Sequence, residues 1–432
     1  MKMGLNINDE SGWLFENPKD NIVHDIDESE IEQLLQLGEQ EDVWTQNVKD
    51  EVRYADKHPG DFVADQLRII NTSGTVVRYP FGISTVTFPS RRHLFRGEPQ
   101  VYKNLLPSLN RKLQGKTDSE KELWKSLADL RICQFYKFIW NINVVPYWQA
   151  KLSDINIKAL AQHYGFDTHL LDLTNDVKTA LFFATCKYIP ETDSYRPLTE
   201  EDFNEENKKY GVIFHTPDWQ MDSFQPEAML RLASRHGMEF GQPLGLDNGD
   251  VDGIAFQIGL QPLMRCHYQS GYILPMKEDA PLQDNWHFEK IRFKQSPELS
   301  QRIFEMMDGG KKVFPQEGIS EARDILDRMK HNMIFSEHDV EYVYREENIE
   351  STRKQSLEEF KNLLTAFDFD GEKIRIRKEE VEYTMTQDML DRINGQYDGK
   401  DLLEPTGGMF HTTSDERKYR EQCCMEIYGK LI

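Results

Sequence analysis

The segment Ala161-Gln162-His163-Tyr164-Gly165-Phe166-Asp167-Thr168-His169-Leu170-Leu171-Asp172-Leu173-Thr174 constrains the fold of this chain more than any other. It gathers imidazoles, hydroxyls and carboxylates at the junction of two helical patterns, where a purely structural segment is seldom so polar. The apolar spacing from Ile155 to Tyr164 predicts a short helix ended by Gly165, a C′ position where positive φ costs nothing. Thr174, Asn175 and Asp176 then offer oxygen acceptors to a second helix that buries Val177, Ala180, Leu181 and Ala184. Upstream, His93, Leu94 and Phe95 predict a short strand that leaves Arg96 at its end and Gly97 at the turn.

The rest of the chain alternates in the same way, which predicts an α+β architecture. An acidic start at Asp27 and Ser29 precedes helix-spaced Ile31, Leu34, Leu35 and Leu37. Strand composition marks Leu67 to Ile70, Thr75 to Tyr79 and Gly82 to Phe88, broken by Asn71-Thr72-Ser73-Gly74 and by Pro80. From Asp118 to about Ile142 the pattern is helical, with Leu123, Leu127, Leu130, Gln134 and Phe138 on one face. Residues 190–210 are acidic and hydrophilic, an expected exposed insertion. Val212 to His215 and Gly271 to Leu274 are strand-like, whereas residues 297–309 and 319–333 are helical. Gly237 to Gly253 reads as an acidic loop. Its Asp247–Gly253 oxygens resemble a calcium loop but lack the downstream Glu and flanking helices. Past residue 335 a charged, mostly helical region carries Phe360, Leu363, Leu364 and Phe367 on one face.

Charge and cysteine content narrow the class. With 74 acidic against 52 basic residues the formal net charge is −22, which repels a nucleic-acid backbone yet leaves room for one basic pocket. Cys133, Cys186, Cys266, Cys423 and Cys424 form no CxxC pair, so zinc-ribbon and redox motifs are absent and a reducing compartment is expected. No run reaches membrane-spanning length and the N-terminus lacks a long apolar core, so a soluble, cytoplasmic protein is expected. No P-loop, GxSxG elbow, HExxH or dinucleotide fingerprint occurs.

Several motifs in fixed order resemble the FRG domain family. Phe95-Arg96-Gly97 is followed by Leu105-Leu106-Pro107-Ser108-Leu109 with Arg111, similar to the family's L-x-P-S-x-x-R element. The Ala161–Thr174 segment comes next, and then Ala180-Leu181-Phe182-Phe183-Ala184, similar to its A-L-x-F-A helix. Arg265, Gln269, Gly271 and Tyr272 resemble the stretch in which an Arg precedes Q-x-G-x-F, while Lys290-Ile291 and Phe314-Pro315 resemble its closing elements. The resemblance spans residues 92–326, which implies an FRG domain there between an N-terminal extension (1–91) and a helical, charged C-terminal region (327–432). Two positions depart from the pattern: His169 stands where the family often has Arg, and Leu173 where it often has Trp. The first bears on a charge contact, the second on packing or stacking.

The candidate site residues follow from chemistry. Arg96 can present a guanidinium to a phosphate or carboxylate while Gly97 admits the ligand to the backbone, or it can pair internally with Asp172. Arg111 is a second phosphate candidate. His163 is the candidate general acid–base, with packing or carbonyl capping as its structural role. Asp172 can orient Arg96 or His163. Thr174 can cap a helix or hold a ligand hydroxyl, Tyr164 and Thr168 flank the turn, and Gln269 and Tyr272 follow a strand-like run. His163, His169 and Asp172 match no common metal spacing, so no metal is expected.

The order of Arg-Gly, Thr-bearing junction and late Gln also resembles ADP-ribosyltransferase-like layouts. That resemblance implies cleavage of NAD or transfer of its ADP-ribose, with Gln269 at the nicotinamide ribose, and the FRG resemblance implies an effector of a microbial phage-defence or toxin system. NAD would then be a substrate, and no cofactor would be required. The alternative is a non-catalytic nucleotide- or partner-binding module that uses the C-terminal helices for protein contacts.

Overall fold

The computed structural model describes residues 5–7, 12–15, 22–39, 74–79, 82–87, 93–146, 155–217, 255–257, 262–263, 265–269, 271–285, 287–315, 318–350 and 355–397. The strand expected at Leu67 to Ile70, the loop from Gly237 to Gly253 and Cys423-Cys424 lie outside these residues. Strand β1 (Val23–Ile26) precedes helix α1 (28–39), and β2 (Gly74–Tyr79) pairs antiparallel with β3 (Gly82–Thr87). Next come β4 (His93–Glu98), α2 (Ser108–Leu113), α3 (Asp118–Ile139), α4 (Ile157–His163), β5 (Leu170–Thr174) and α5 (Val177–Thr185). A hairpin of β6 (Cys186–Ile189) and β7 (Ser194–Pro197) leads to β8 (Tyr210–Pro217). β9 (Phe256–Gln257), α6 (Arg265–Tyr268), β10 (Gly271–Pro275), β11 (Glu289–Lys294), α7 (Pro297–Met306) and α8 (Arg323–Lys330) follow. The C-terminal region holds β12 (Ile334–Ser336), α9 (Glu337–Glu350), α10 (Leu357–Ala366), β13 (Arg375–Arg377) and α11 (Gln387–Tyr397). The protein is α+β.

Seven strands form one sheet in the order β1-β11-β8-β4-β5-β10-β9. β1 and β11 run parallel, and every other neighbouring pair is antiparallel. Because successive side chains alternate between faces, the register fixes which residues can meet. Phe95 faces Thr174 and His215, and Asp172 faces Ile273, so these side chains share one side of the sheet. That side packs Phe95, Ile213, Ile291 and Phe293 against α1, α5 and α7, and Leu170 and Ile273 against α3, α4 and α8. The other side carries Leu94, Leu171, Leu173, Phe214 and Tyr272 under Leu105 and Leu282.

Three local features set this arrangement. α3 opens with a capping box in which Thr117 and Glu120 exchange hydrogen bonds. Its body is buried on two flanks, because Trp124, Leu127 and Leu130 join one core cluster while Ile132, Phe135 and Ile139 join another. α5 is capped by Asp176, whose carboxylate accepts from the Lys178 and Thr179 amides at 3.1 and 3.2 Å. Val177, Ala180, Leu181, Phe182 and Ala184 are all fully buried, each of the larger ones contributing about 1.5–3 kcal/mol. The predicted face of α5 is therefore the observed one, although the cap is Asp176 and not Thr174.

Two expectations are corrected. β4 continues through Glu98, which puts Arg96 and Gly97 inside a strand and not at its end. A Cβ at Gly97 would lie 1.8 Å from the Ala180 carbonyl oxygen and 2.9 Å from the Ala184 nitrogen, so the glycine lets α5 rest on the sheet. The 190–210 stretch lies largely at the surface, although Asp193, which closes the β6–β7 hairpin, is buried and Asp202 is held by Arg196. The C-terminal region shares its core with α2 and α3, since Phe335, Val340, Phe360, Leu364 and Phe369 pack on Leu109, Leu113 and Trp124. Leu363, placed by the sequence on that apolar face, is exposed.

Candidate functional site

α4 starts at Asn156, whose side chain accepts from the Ala159 amide at 3.0 Å, and stops at Tyr164. Gly165 follows at φ +84°, and its amide and that of Phe166 return to the carbonyls of Gln162 and Ala161 at 2.8 and 3.2 Å. This termination turns the chain sharply toward β5 and leaves the last turn of α4 facing Asp172. Thr168 secures the turn: its hydroxyl donates to Gln162 Oε1 and accepts from the Leu170 amide at 3.2 Å. Gln162 Nε2 donates to Asp172 Oδ1 at 2.7 Å, so the carboxylate is positioned through a neutral relay.

His163 is the centre of the arrangement. Its side chain is 2% exposed, and its Nε2 lies 3.8 Å from Asp172 Oδ1 without a hydrogen-bond partner among the described residues. A buried imidazole nitrogen left without a partner is costly, so such a group points to a ligand or a reacting atom. Asp172 remains 40% exposed beside it.

Both residues line a cavity of about 730 Å³, within the span of small-molecule sites. Its walls are aromatic: Tyr164, Phe183, Tyr188, Tyr195 and Phe314. Burial pushes the Tyr188 phenol up to about 12, with help from the Asp193 carboxylate that accepts its hydroxyl at 2.7 Å, and burial also raises that of Tyr195. Neither phenol ionises at neutral pH. Arg265 lies over the Phe314 ring at 3.9 Å and near the Tyr164 ring at 4.9 Å, bonds Asp193 at 2.7 Å and donates to the His163 carbonyl at 3.2 Å. The acidic hairpin is thus one wall of the cavity, locked by a buried ion pair. Arg323, Asp327 and Lys330 of α8 line it as well, next to the hairpin, joined by Ser320 and His331.

The sequence-derived residues divide between this cavity and other places. His163, Asp172, Tyr164 and Gln269 line it together. Thr168 and Thr174 stand behind it, the latter donating to the Gln269 carbonyl at 2.6 Å and accepting from the Asp176 amide at 3.0 Å. Arg96 falls on the opposite face of the sheet by strand alternation, where it pairs with Glu98 at 2.7 Å and donates to the Asp172 backbone carbonyl at 2.6 Å. The internal pairing expected with Asp172 is therefore with its backbone and not its carboxylate. Gly97 lies under α5, Arg111 donates to the Leu106 carbonyl at 2.6 Å, and Tyr272 is buried in the far core. Arg265, Asp193, Tyr188 and the α8 residues were not singled out by their chemistry. Arg265 stood only in the motif before Gln269, and the helical spacing of Arg323, Asp327 and Lys330 was the local signal for the α8 residues.

The FRG domain model matches residues 91–193. The chain carries an FRG domain. The matched stretch runs from β4 to the tip of the β6–β7 hairpin and supplies Gln162, His163, Asp172, Phe183, Tyr188 and Asp193 to the cavity. Arg265, Gln269, Phe314 and α8 complete the cavity from beyond the matched FRG residues. No curated protein and no solved structure matches the chain. Among the described residues no helix is long and apolar enough to cross a membrane, and no cluster of three His, Cys, Asp or Glu is placed to hold a metal ion.

Proposed function

We propose that the cavity binds NAD and cleaves its nicotinamide–ribose bond. The observation that carries this reading is the unpartnered Nε2 of buried His163 beside the exposed Asp172 carboxylate. In the cleavage the C1′–N bond breaks, its electron pair leaves with nicotinamide, and the ribose becomes oxocarbenium-like. Asp172 supplies negative charge against that developing cation, as paired carboxylates do in glycoside hydrolysis. An acceptor hydroxyl, from water or a macromolecule, adds to C1′ while His163 Nε2 takes its proton. The products are ADP-ribose, free or attached, and nicotinamide. Gln269, fixed through its backbone to Thr174, hydrogen-bonds a ribose hydroxyl or the carboxamide. The aromatic walls suit a planar ring. By family resemblance the setting is an effector of a microbial defence or toxin system.

The second reading is a non-catalytic nucleotide- or partner-binding module. The 3.8 Å separation of His163 and Asp172, longer than a hydrogen bond, favours it, as does the commitment of Arg265 to Asp193. In that case the C-terminal helices, which leave Leu363 exposed, would carry the partner contacts. Chromatography of the purified protein incubated with NAD separates the two. Free nicotinamide that disappears in Asp172→Asn supports cleavage, and NAD recovered intact from a protein that binds it supports the module.

A further inference from the structure

The rim of the cavity at α8 holds two cations that no step above uses. Lys330 Nζ lies 2.5 Å from Asp327 Oδ1, and Arg323 Nε lies 3.7 Å from Asp327 Oδ2. The spacing i, i+4, i+7 brings all three side chains onto one helix face. Since both cations reach one carboxylate, they stand close enough for a single anion of that size to bridge them. Asp327 is 45% exposed, and ion pairs so open to water contribute little. A doubly charged phosphate outcompetes such a carboxylate for the same cations.

Neighbouring groups fit the same ligand. Ser320 Oγ is buried without a hydrogen-bond partner among the described residues and lines the cavity beside Arg323. Arg323 is held in place by donating to the Glu191 carbonyl at 2.9 Å and to that of Pro190. A Cβ at Gly165 would stand 3.3 Å from Lys330 Nζ, so the glycine also keeps space for this ammonium, two residues from His163. On a chain of net charge −22, an anionic ligand needs such a local cationic site to offset the general repulsion.

We propose that Ser320, Arg323 and Lys330 form a diphosphate subsite, and that Asp327 is the internal anion which a ligand phosphate replaces. The proposal rests on the cavity being a nucleotide site, but not on any bond being cleaved there. It orients the ligand with phosphates at α8 and the glycosidic bond toward His163 and Asp172.

Calorimetric titration of the full chain with ADP, and with adenosine as the phosphate-free control, tests it. ADP binding is expected to weaken about tenfold in Lys330→Gln and to be largely kept in Lys330→Arg. Asp327→Asn, which removes the competing anion, is expected to tighten ADP several-fold, with adenosine unaffected by any of these changes. Arg323→Gln is a less clean probe, because Arg323 also anchors the hairpin. Absence of ADP binding, equal affinities for ADP and adenosine, or weaker ADP binding in Asp327→Asn would overturn the proposal. ADP binding with this pattern but no nicotinamide release keeps the subsite and sinks the cleavage reading. Release that Lys330→Gln leaves untouched, with ADP affinity also unchanged, does the reverse.

Discussion

Gly97→Ala separates a packing role for the Arg-Gly pair from a ligand-binding one. The added Cβ would sit 1.8 Å from the Ala180 carbonyl oxygen, whereas carbon and oxygen in close contact stay about 3.3 Å apart. The obstacle is backbone, so no rotamer change relieves it, and α5 must withdraw from β4 by about 1.5 Å if that contact distance holds. Withdrawal loosens Val177, Ala180, Leu181 and Ala184 from Phe95, all fully buried. Overpacking of a filled core costs about 1–3 kcal/mol, and a backbone obstacle puts this change at about 3 kcal/mol, the upper end of that range. Urea unfolding of the two proteins, followed by tryptophan fluorescence or circular dichroism, measures it as a lower midpoint at unchanged slope. An Ala variant as stable as the parent but deficient in nucleotide binding would refute the packing argument and return Gly97 to the ligand.

Two further predictions concern carboxylates held by hydrogen bonds. Glu289 has a fully buried carboxylate that accepts from the Leu14 and Phe15 amides at 3.2 and 2.7 Å and bonds His215 Nδ1 at 2.5 Å, so Glu289→Gln turns an amide NH2 toward a backbone N–H donor. It should destabilise by about 2–4 kcal/mol in the same unfolding assay, and an unchanged midpoint would count against the network. Hydrogen bonds from Arg196 hold the Asp202 carboxyl well below the usual range, aided by the Thr199 amide and Lys187 and opposed by burial. Because its folded value is depressed, the stabilisation is present above the ordinary carboxylate pKa of about 4 and fades as pH falls below it. The protection of residues 186–203 against hydrogen exchange, taken relative to the intrinsic exchange rate, should fall on acidification below that point, and Asp202→Asn should remove this dependence. An equal loss of protection in both proteins would contradict it.

The parts legible in the sequence were those set by local physics. Gly165 ends α4 because that position needs positive φ, and the Val177–Ala184 spacing marks the buried side of α5. His163, Tyr164 and Asp172 lie within one helix–turn–strand unit, so their proximity needed little beyond the Ala161–Thr174 segment. Arg96 and Gly97 were misplaced because a glycine after a short apolar run reads as a turn, and only the non-local approach of α5 shows that it belongs inside a strand. Tyr272 was grouped with Gln269 by nearness in sequence, but the one falls in β10 facing the far core and the other precedes that strand at the cavity. Arg265 and Asp193 meet across chain separations that no periodicity records, and nothing in the acidic, largely exposed stretch marks Asp193 as buried.

Nicotinamide release tests the proposed cleavage of NAD at His163 and Asp172. Nicotinamide release should be followed for the parent protein, Asp172→Asn and His163→Gln, with thermal melts and ADP binding as controls. Release by the parent is expected, with a loss of about a hundredfold or more in each variant, while melting and ADP binding stay near the parent values. Release that persists unchanged in both variants, or a parent protein that binds ADP and leaves NAD intact, would contradict it.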